Sequence, residues 1–420
     1  MKLPEHLKTF ITGSLITIGG NLVIGLSNYL VRRTMVFQLS ELEYGCFYGA
    51  FSLVLILTAI ADLGLVNTGT VLISENRQKA NIFFSAVLYI KMLIAGGVSI
   101  LFYVFRGKIA THYLGGMGSN MLVLLSFFIF LVAVSDAFNA YFYGNKFFRS
   151  SCIFRSITAF LLWGAVIWLT KNGSGSGAAA AYIIAYLTTI IIQFFWISRR
   201  DKICSPFLIS RSLYGKIIKF SGPLAVIACI QIILANLDSV MLTYLCGPET
   251  VAIYNVALPI TQLLLSVLIF ATVFLPIATD LAKAEKYNQL KKYAYYGLFI
   301  TGVGLPLLFW ICKLGGEFLI TLLFKSSYAE PAARLLPWLM CGYWLFAAGA
   351  FIMQILIAMR RVKVLLVIVI STLCCNIILN YCLIKRFAEL GASLSAFLSY
   401  LFFTVAVFCL FAGVMKNKKG

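Results

Sequence analysis

Acidic residues are scarce in this chain. Its 420 residues hold 14 Asp and Glu against 34 Lys and Arg. Its two histidines, His6 and His112, are far apart and match no metal spacing. Charged residues make up 11% of the whole, against about 25% in a soluble domain. An ordinary soluble fold is excluded. Catalytic signatures are also missing. There is no GxxxxGK[ST] phosphate loop, no HExxH, no GxSxG and no DxD pair, and the carboxylates are too scattered for a glycosidase pair. No catalytic residue, cofactor or metal is expected, and the chain is not read as an enzyme.

Apolar residues fill the space that charge leaves, at 61% of the chain. The net charge of +20 fits Lys and Arg gathered in cytoplasmic loops against anionic lipid. Membrane lipid is therefore an expected partner and nucleic acid is not. The 11 cysteines form no CxxC and fall mostly in apolar runs, where Cys packs as a small hydrophobe. Lys2 and Lys8 precede an apolar run without an obvious cleavage site, which reads as an uncleaved signal-anchor.

Stretches of membrane-spanning length recur about twelve times: 10–31, 46–73, 82–105, 121–143, 152–170, 178–198, 217–245, 251–280, 293–313, 333–358, 363–384 and 392–414. Basic connections at 74–81, 144–151, 198–216, 282–292 and 359–363, with the tail KNKKG, alternate with poorer ones such as TKNGSGSG (170–177) and CGPET (246–250). The positive-inside rule puts the basic set and both termini in the cytoplasm. The long basic loop 198–216 divides the chain into two six-helix lobes, 1–205 and 206–420. The halves echo each other. Gly177-Ala178 with Tyr186 recurs 214 residues later as Gly391-Ala392 with Tyr400, and Tyr44 recurs as Tyr254, 210 residues later. Such a pattern predicts a parallel repeat. Pro259, Pro276 and Pro306 fall inside spans and predict bends, static or mobile.

Charges inside the apolar runs are the candidate functional groups, because each costs roughly 2.5–3.5 kcal/mol at a lipid-facing helix centre. The cations are Arg32, Arg33, Lys91 and Arg155; the carboxylates are Asp62, Asp136 and Asp238. Arg32 and Arg33 either line a pathway or snorkel at a span end. Arg155 either faces a cavity or closes the basic cluster before it. Lys91, deep in its span, suits a cavity or an ion pair. Asp136 either pairs with a cation or meets substrate. Asp62, past the membrane midplane, pairs with a cation or caps backbone, and Gly64 and Gly69 beside it permit close packing or local bending. Asp238 is the repeat equivalent of Asn28, since each precedes the aligned tyrosine by 16 residues. We assign Arg32, Arg33, Lys91, Arg155 and Asn28 to an expected pyrophosphate and sugar cavity, and Asp62, Asp136 and Asp238 to ion coupling or gating.

SELEYGCFYGAFSLVLILTAIADLGL (40–65), KFSGPLAVIACIQIILANLDSVML (219–242), GPETVAIYNVALPI (247–260), VFLPIATDLAK (273–283) and NIILNYCLIKRFAELGASLSAFLSY (376–400) follow one another in a specific order. In that order the chain resembles the polysaccharide biosynthesis and O-antigen flippase family of the multidrug/oligosaccharidyl-lipid/polysaccharide exporter superfamily. The resemblance covers almost the whole chain, and by motif it carries over Asp62 and Asp238. It implies an all-α integral membrane fold, multidrug-extrusion-like, with two six-helix lobes around a central cavity. It implies alternating access driven by an ion gradient. The implied cargo is an undecaprenyl-diphosphate-linked oligosaccharide, an O-antigen or capsule unit, crossing a bacterial inner membrane from the cytoplasmic to the periplasmic leaflet. A polysaccharide polymerase and a chain-length regulator are implied partners. A multidrug or metabolite cation antiporter of the same superfamily is the alternative. A membrane polymerase is less well supported, for want of a large extracytoplasmic loop.

Overall fold

A computed structural model of the chain describes residues 5–200, 217, 223–267, 278–282 and 284–416, with side chains over 19–20, 22–200, 217, 225–262, 278–282 and 284–416. Pro276 and nearly all of the 198–216 loop lie outside the described residues. The described elements are helical, with no strand among them. That follows from the composition: lipid offers no partner for backbone N–H and C=O, and a helix satisfies them within itself. In chain order the helices are α1 Glu5–Gln38, α2 Glu41–Asp62, α3 Leu65–Glu75, α4 Ala80–Tyr113, α5 Ser119–Gly144, α6 Phe148–Leu169 and α7 Gly175–Ser198. They continue as α8 Pro223–Cys246, α9 Pro248–Val267, α10 Tyr287–Leu323, α11 Ala329–Ala358 and α12 Val362–Lys416.

Among the described residues, nine helical stretches are long and apolar enough to cross a membrane. The 55-residue α12 bends at Ala388 (φ 46°) and carries the last two expected spans in one element. Helix α1 covers the expected span 10–31, and α9 covers the expected span 251–280 as far as Val267. The expected span 46–73 is broken. Helix α2 stops at Asp62, Leu63 and Gly64 both take left-handed backbone (φ 45° and 72°), and α3 restarts at Leu65. A leucine in that conformation costs about 1–2 kcal/mol, so the neighbours must hold it. Gly64 makes this possible, because a Cβ there would stand 3.0 Å from the Ala225 Cα and overlap its methyl. At its other end α2 is capped by Ser40, whose hydroxyl accepts from the Glu43 N–H at 3.2 Å. Pro259 and Pro306 lie inside α9 and α10, and Pro337 inside α11.

The chain forms two compact units, Met1–Asn236 and Leu237–Gly420. In the first, α1 packs on α6, α6 on α7, and α5 on α4, α7 and α3. The side chains of α1 and α6 also bond: Trp163 donates its indole N–H to Thr34 Oγ1 at 3.2 Å, and Thr170 donates to Gln38 Oε1. In the second unit α11 packs against α10, α12 and α9.

Each unit contains the same tight turn. A Cβ on Gly177 would lie 2.1 Å from the Leu169 carbonyl oxygen, and one on Gly391 would lie 2.2 Å from that of Leu383. Both contacts reach eight residues back, so the repeated Gly-Ala has a steric cause. The tyrosines that follow both join aromatic clusters, Tyr186 against Phe128 with centroids 5.0 Å apart and Tyr400 against Phe346 at 4.9 Å. Gly177→Ala and Gly391→Ala are each expected to lower the thermal midpoint of purified protein, by an overpacking cost of about 1–3 kcal/mol. Gly164→Ala, where the added methyl meets open space, serves as the neutral control.

Candidate functional site

Three helices of the first unit meet at an ion triad. Lys91, in the fourth turn of α4, is 1% exposed. Its ammonium donates to Asp62 Oδ1 and stands 3.6 Å from Asp136 Oδ2 on α5. Asp62 is the last residue of α2, where a negative charge opposes the helix dipole. Lys91 therefore offsets an unfavourable end charge as well as its own burial. Close approach depends on small residues. Ala61 beside Asp62, Ala95 one turn past Lys91 and Ala133 one turn before Asp136 form a packed cluster.

Asp136 also lines a cavity of about 380 Å³ within this unit. Ser135, Asp136, Asn139 and Tyr143 supply one wall as a polar stripe along α5, Asn28 comes from α1, Arg155 and Thr158 from α6, and Tyr186 from α7. The Arg155 guanidinium donates to the Tyr143 hydroxyl at 3.1 Å. Thr158 donates to the Phe154 carbonyl at 3.0 Å and lies 3.0 Å from the Thr189 hydroxyl. The buried Oδ1 of Asn139 has no hydrogen-bond partner.

The five residues assigned to a common cavity, four cations and Asn28, are thus distributed. Asn28 and Arg155 line it, and Lys91 sits behind Asp136. Arg32 and Arg33 are not among its lining residues. The Arg32 guanidinium lies 4.6 Å over the Tyr48 ring and that of Arg33 lies 5.0 Å over Phe37. Asn139, Tyr143, Thr158 and Tyr186 were missed. Their signal was legible for α5, since Ser135, Asp136, Asn139 and Tyr143 share one helical face in an otherwise apolar run.

Asp238 belongs to the second unit. It is 3% exposed, and its partners are neutral. Tyr254 donates to Oδ2 at 2.8 Å; Asn380 donates to Oδ1 at 2.7 Å and Asn376 at 3.4 Å. Asn376 also donates to the Ser399 hydroxyl at 3.2 Å, and the Oδ1 of Asn380 has no partner. The convergence of Asn376 and Asn380 on Asp238 joins residues about 140 positions apart and carries no signal in the sequence. Among the described residues no group of three His, Cys, Asp or Glu side chains is placed to hold a metal.

Long apolar helices that enclose matched charges and a polar cavity define a multi-pass membrane protein built like a transporter. The family model for polysaccharide biosynthesis proteins matches residues 10–282, and the chain belongs to that family. A second model, MatE, matches residues 223–382. An uncharacterized membrane protein of Methanocaldococcus jannaschii is 24% identical over 407 residues, covering 89% of this chain and 78% of that one. A multidrug resistance MATE family transporter of the MOP superfamily, solved in an inward-facing conformation, superimposes with a TM-score of 0.78 at 14% identity, covering 96% of this chain and 98% of the other. The lipid II flippase MurJ gives 0.70 at 17%, covering 97% and 90%. A MOP superfamily transporter from Pyrococcus furiosus, described as having a binding pocket of reversed polarity, gives 0.67 at 14%, covering 98% and 96%. The fold is the expected all-α, multidrug-extrusion-like one.

Removing one partner of a buried pair costs about 3–5 kcal/mol. Lys91→Met is therefore expected to lower the thermal midpoint strongly. Adding Asp62→Asn should recover part of the loss, giving a coupling of at least about 1 kcal/mol in a double-mutant cycle. Strict additivity would show that the pair carries no shared energy.

Proposed function

We propose that this protein is a flippase for undecaprenyl-diphosphate-linked oligosaccharide, an O-antigen or capsule unit. It moves the cargo from the cytoplasmic to the periplasmic leaflet of a bacterial inner membrane by alternating access of its two lobes, 1–205 and 206–420, with both termini cytoplasmic. The observation that carries this reading is a polar, partly charged cavity inside an apolar helical unit, in a chain of the polysaccharide biosynthesis family. The likeness to the lipid II flippase supports a lipid-linked cargo. A downstream polymerase and chain-length regulator take over the product.

Energy comes from an ion gradient. Asp238 is the coupling carboxylate: it is buried and hydrogen-bonded by neutral donors, and an unpartnered amide oxygen lies in the same network. A proton or a monovalent cation neutralises it there. Asp62 and Asp136, bridged by Lys91, gate the first unit.

A cation antiporter of the same superfamily is the second reading, favoured by Asp136 in the cavity wall and by the MatE match. One strain set separates the two. Deletion of the gene is expected to abolish surface polysaccharide while lipid-linked units accumulate inside, with no change in efflux of a cationic dye. Asp238→Asn at equal protein level should behave nearly as the deletion. Normal surface polysaccharide together with lost dye efflux would overturn the flippase reading in favour of the antiporter.

A further inference from the structure

The cavity of the first unit was expected to take both sugar and pyrophosphate, but its chemistry is not that of a diphosphate site. Two cations and two carboxylates stand in or beside it: Arg155 and Asp136 line it, and Lys91 bonds Asp62 next to Asp136. The balance is neutral, so no net positive field draws a polyanion inward. A phosphate oxygen beside the Asp136 carboxylate would meet like-charge repulsion, stronger in the low-dielectric cavity than in water. Arg155 compensates for little more than that.

Hydrogen-bonding capacity points the same way. Asn139 leaves an acceptor oxygen without a partner, and Asp136 supplies further acceptors. The oxygens of an ionised diphosphate only accept. A sugar hydroxyl both donates and accepts, so it satisfies Asn139 and Asp136 as donor while receiving from Arg155 or Asn28. Tyr143 and Tyr186 add rings to the wall, suited to the C–H face of a pyranose. The volume of about 380 Å³ lies at the small end of ligand pockets, about 300–1,000 Å³. It holds part of an oligosaccharide, not the whole.

We infer that this cavity is an uncharged-glycan subsite, which binds the sugar portion of the cargo and leaves the diphosphate outside it. The inference rests on the flippase reading and narrows it. Asp136 is then a specificity-determining residue that selects hydroxyl donors and rejects phosphate.

The test is equilibrium binding to purified protein in lipid nanodiscs. One probe is glycan released by mild acid from the cells' own lipid-linked pool; the other is inorganic pyrophosphate. The variants are Asp136→Asn, Asn139→Leu and Arg155→Gln, each first checked for an unchanged thermal midpoint. Asn139→Leu alters no charge, so it stands if Asp136→Asn disturbs the triad. Glycan binding weakened about tenfold or more in Asp136→Asn or Asn139→Leu, with pyrophosphate bound weakly by the unsubstituted protein and more tightly by Asp136→Asn, is the expected result. Pyrophosphate bound tightly by the unsubstituted protein and lost in Arg155→Gln, with glycan binding indifferent to Asp136→Asn and Asn139→Leu, would overturn the inference and leave the flippase reading intact. Binding of neither probe would overturn the inference; together with a deletion strain that keeps its surface polysaccharide, it would overturn the flippase reading as well.

Discussion

A buried ammonium between two carboxylates organises the first unit. Lys91 is buried, and the carboxylates that meet it are Asp62 and Asp136. Its neutralisation requires that α2, α4 and α5 come together, which requires alanine at the three crossing points. Helix α2 ends at Asp62 in the left-handed pair Leu63 and Gly64, and the Ala225 methyl of α8 occupies the space where a Gly64 side chain would stand. A charge that is costly in lipid thus fixes helix ends, small-residue packing and a chain break at one place. On its far side the same carboxylate set opens on the cavity through Asp136.

The two units share a scaffold and differ in chemistry. The glycine-to-carbonyl contacts at Gly177 and Gly391 are alike, as are the aromatic clusters around Tyr186 and Tyr400. Equivalent positions then diverge. Asn28 lines a cavity of balanced charge, while Asp238 is closed into a network of tyrosine and asparagine donors. In the proposed function the first unit's cavity takes the polar ligand and Asp238 takes the coupling ion, so that ligand and ion act on separate surfaces.

Much of the fold was legible from the chain alone, since apolar runs of spanning length have few alternatives to helix. The expected spans and the echo between halves came from spacing. At the break between α2 and α3, Gly64 marked a place for local bending or close packing, but Leu63 carries no signal for left-handed backbone, and Ala225, which packs against Gly64, lies over 160 residues away. Charge partners were legible only as types. Lys91 invited a carboxylate, but its choice of Asp62 and Asp136 depends on helix rotation, which a run of uniformly apolar residues does not encode. Arg32 and Arg33 lie over the rings of Tyr48 and Phe37, contacts that likewise depend on helix rotation and not on spacing alone. The cavity's neutral polar lining was half visible as the stripe on α5, and the rest required three other helices in register.

The central claim, transbilayer movement of a lipid-linked glycan, is tested most directly in proteoliposomes of purified protein. Lipid-linked oligosaccharide is incorporated in both leaflets, and its outer fraction is cut by a membrane-impermeant glycosidase. The account predicts that an imposed proton or sodium gradient exposes the protected inner pool when the protein is present and not in protein-free vesicles. An inner pool that stays protected under every gradient, in vesicles shown to contain folded protein of both orientations, would contradict it.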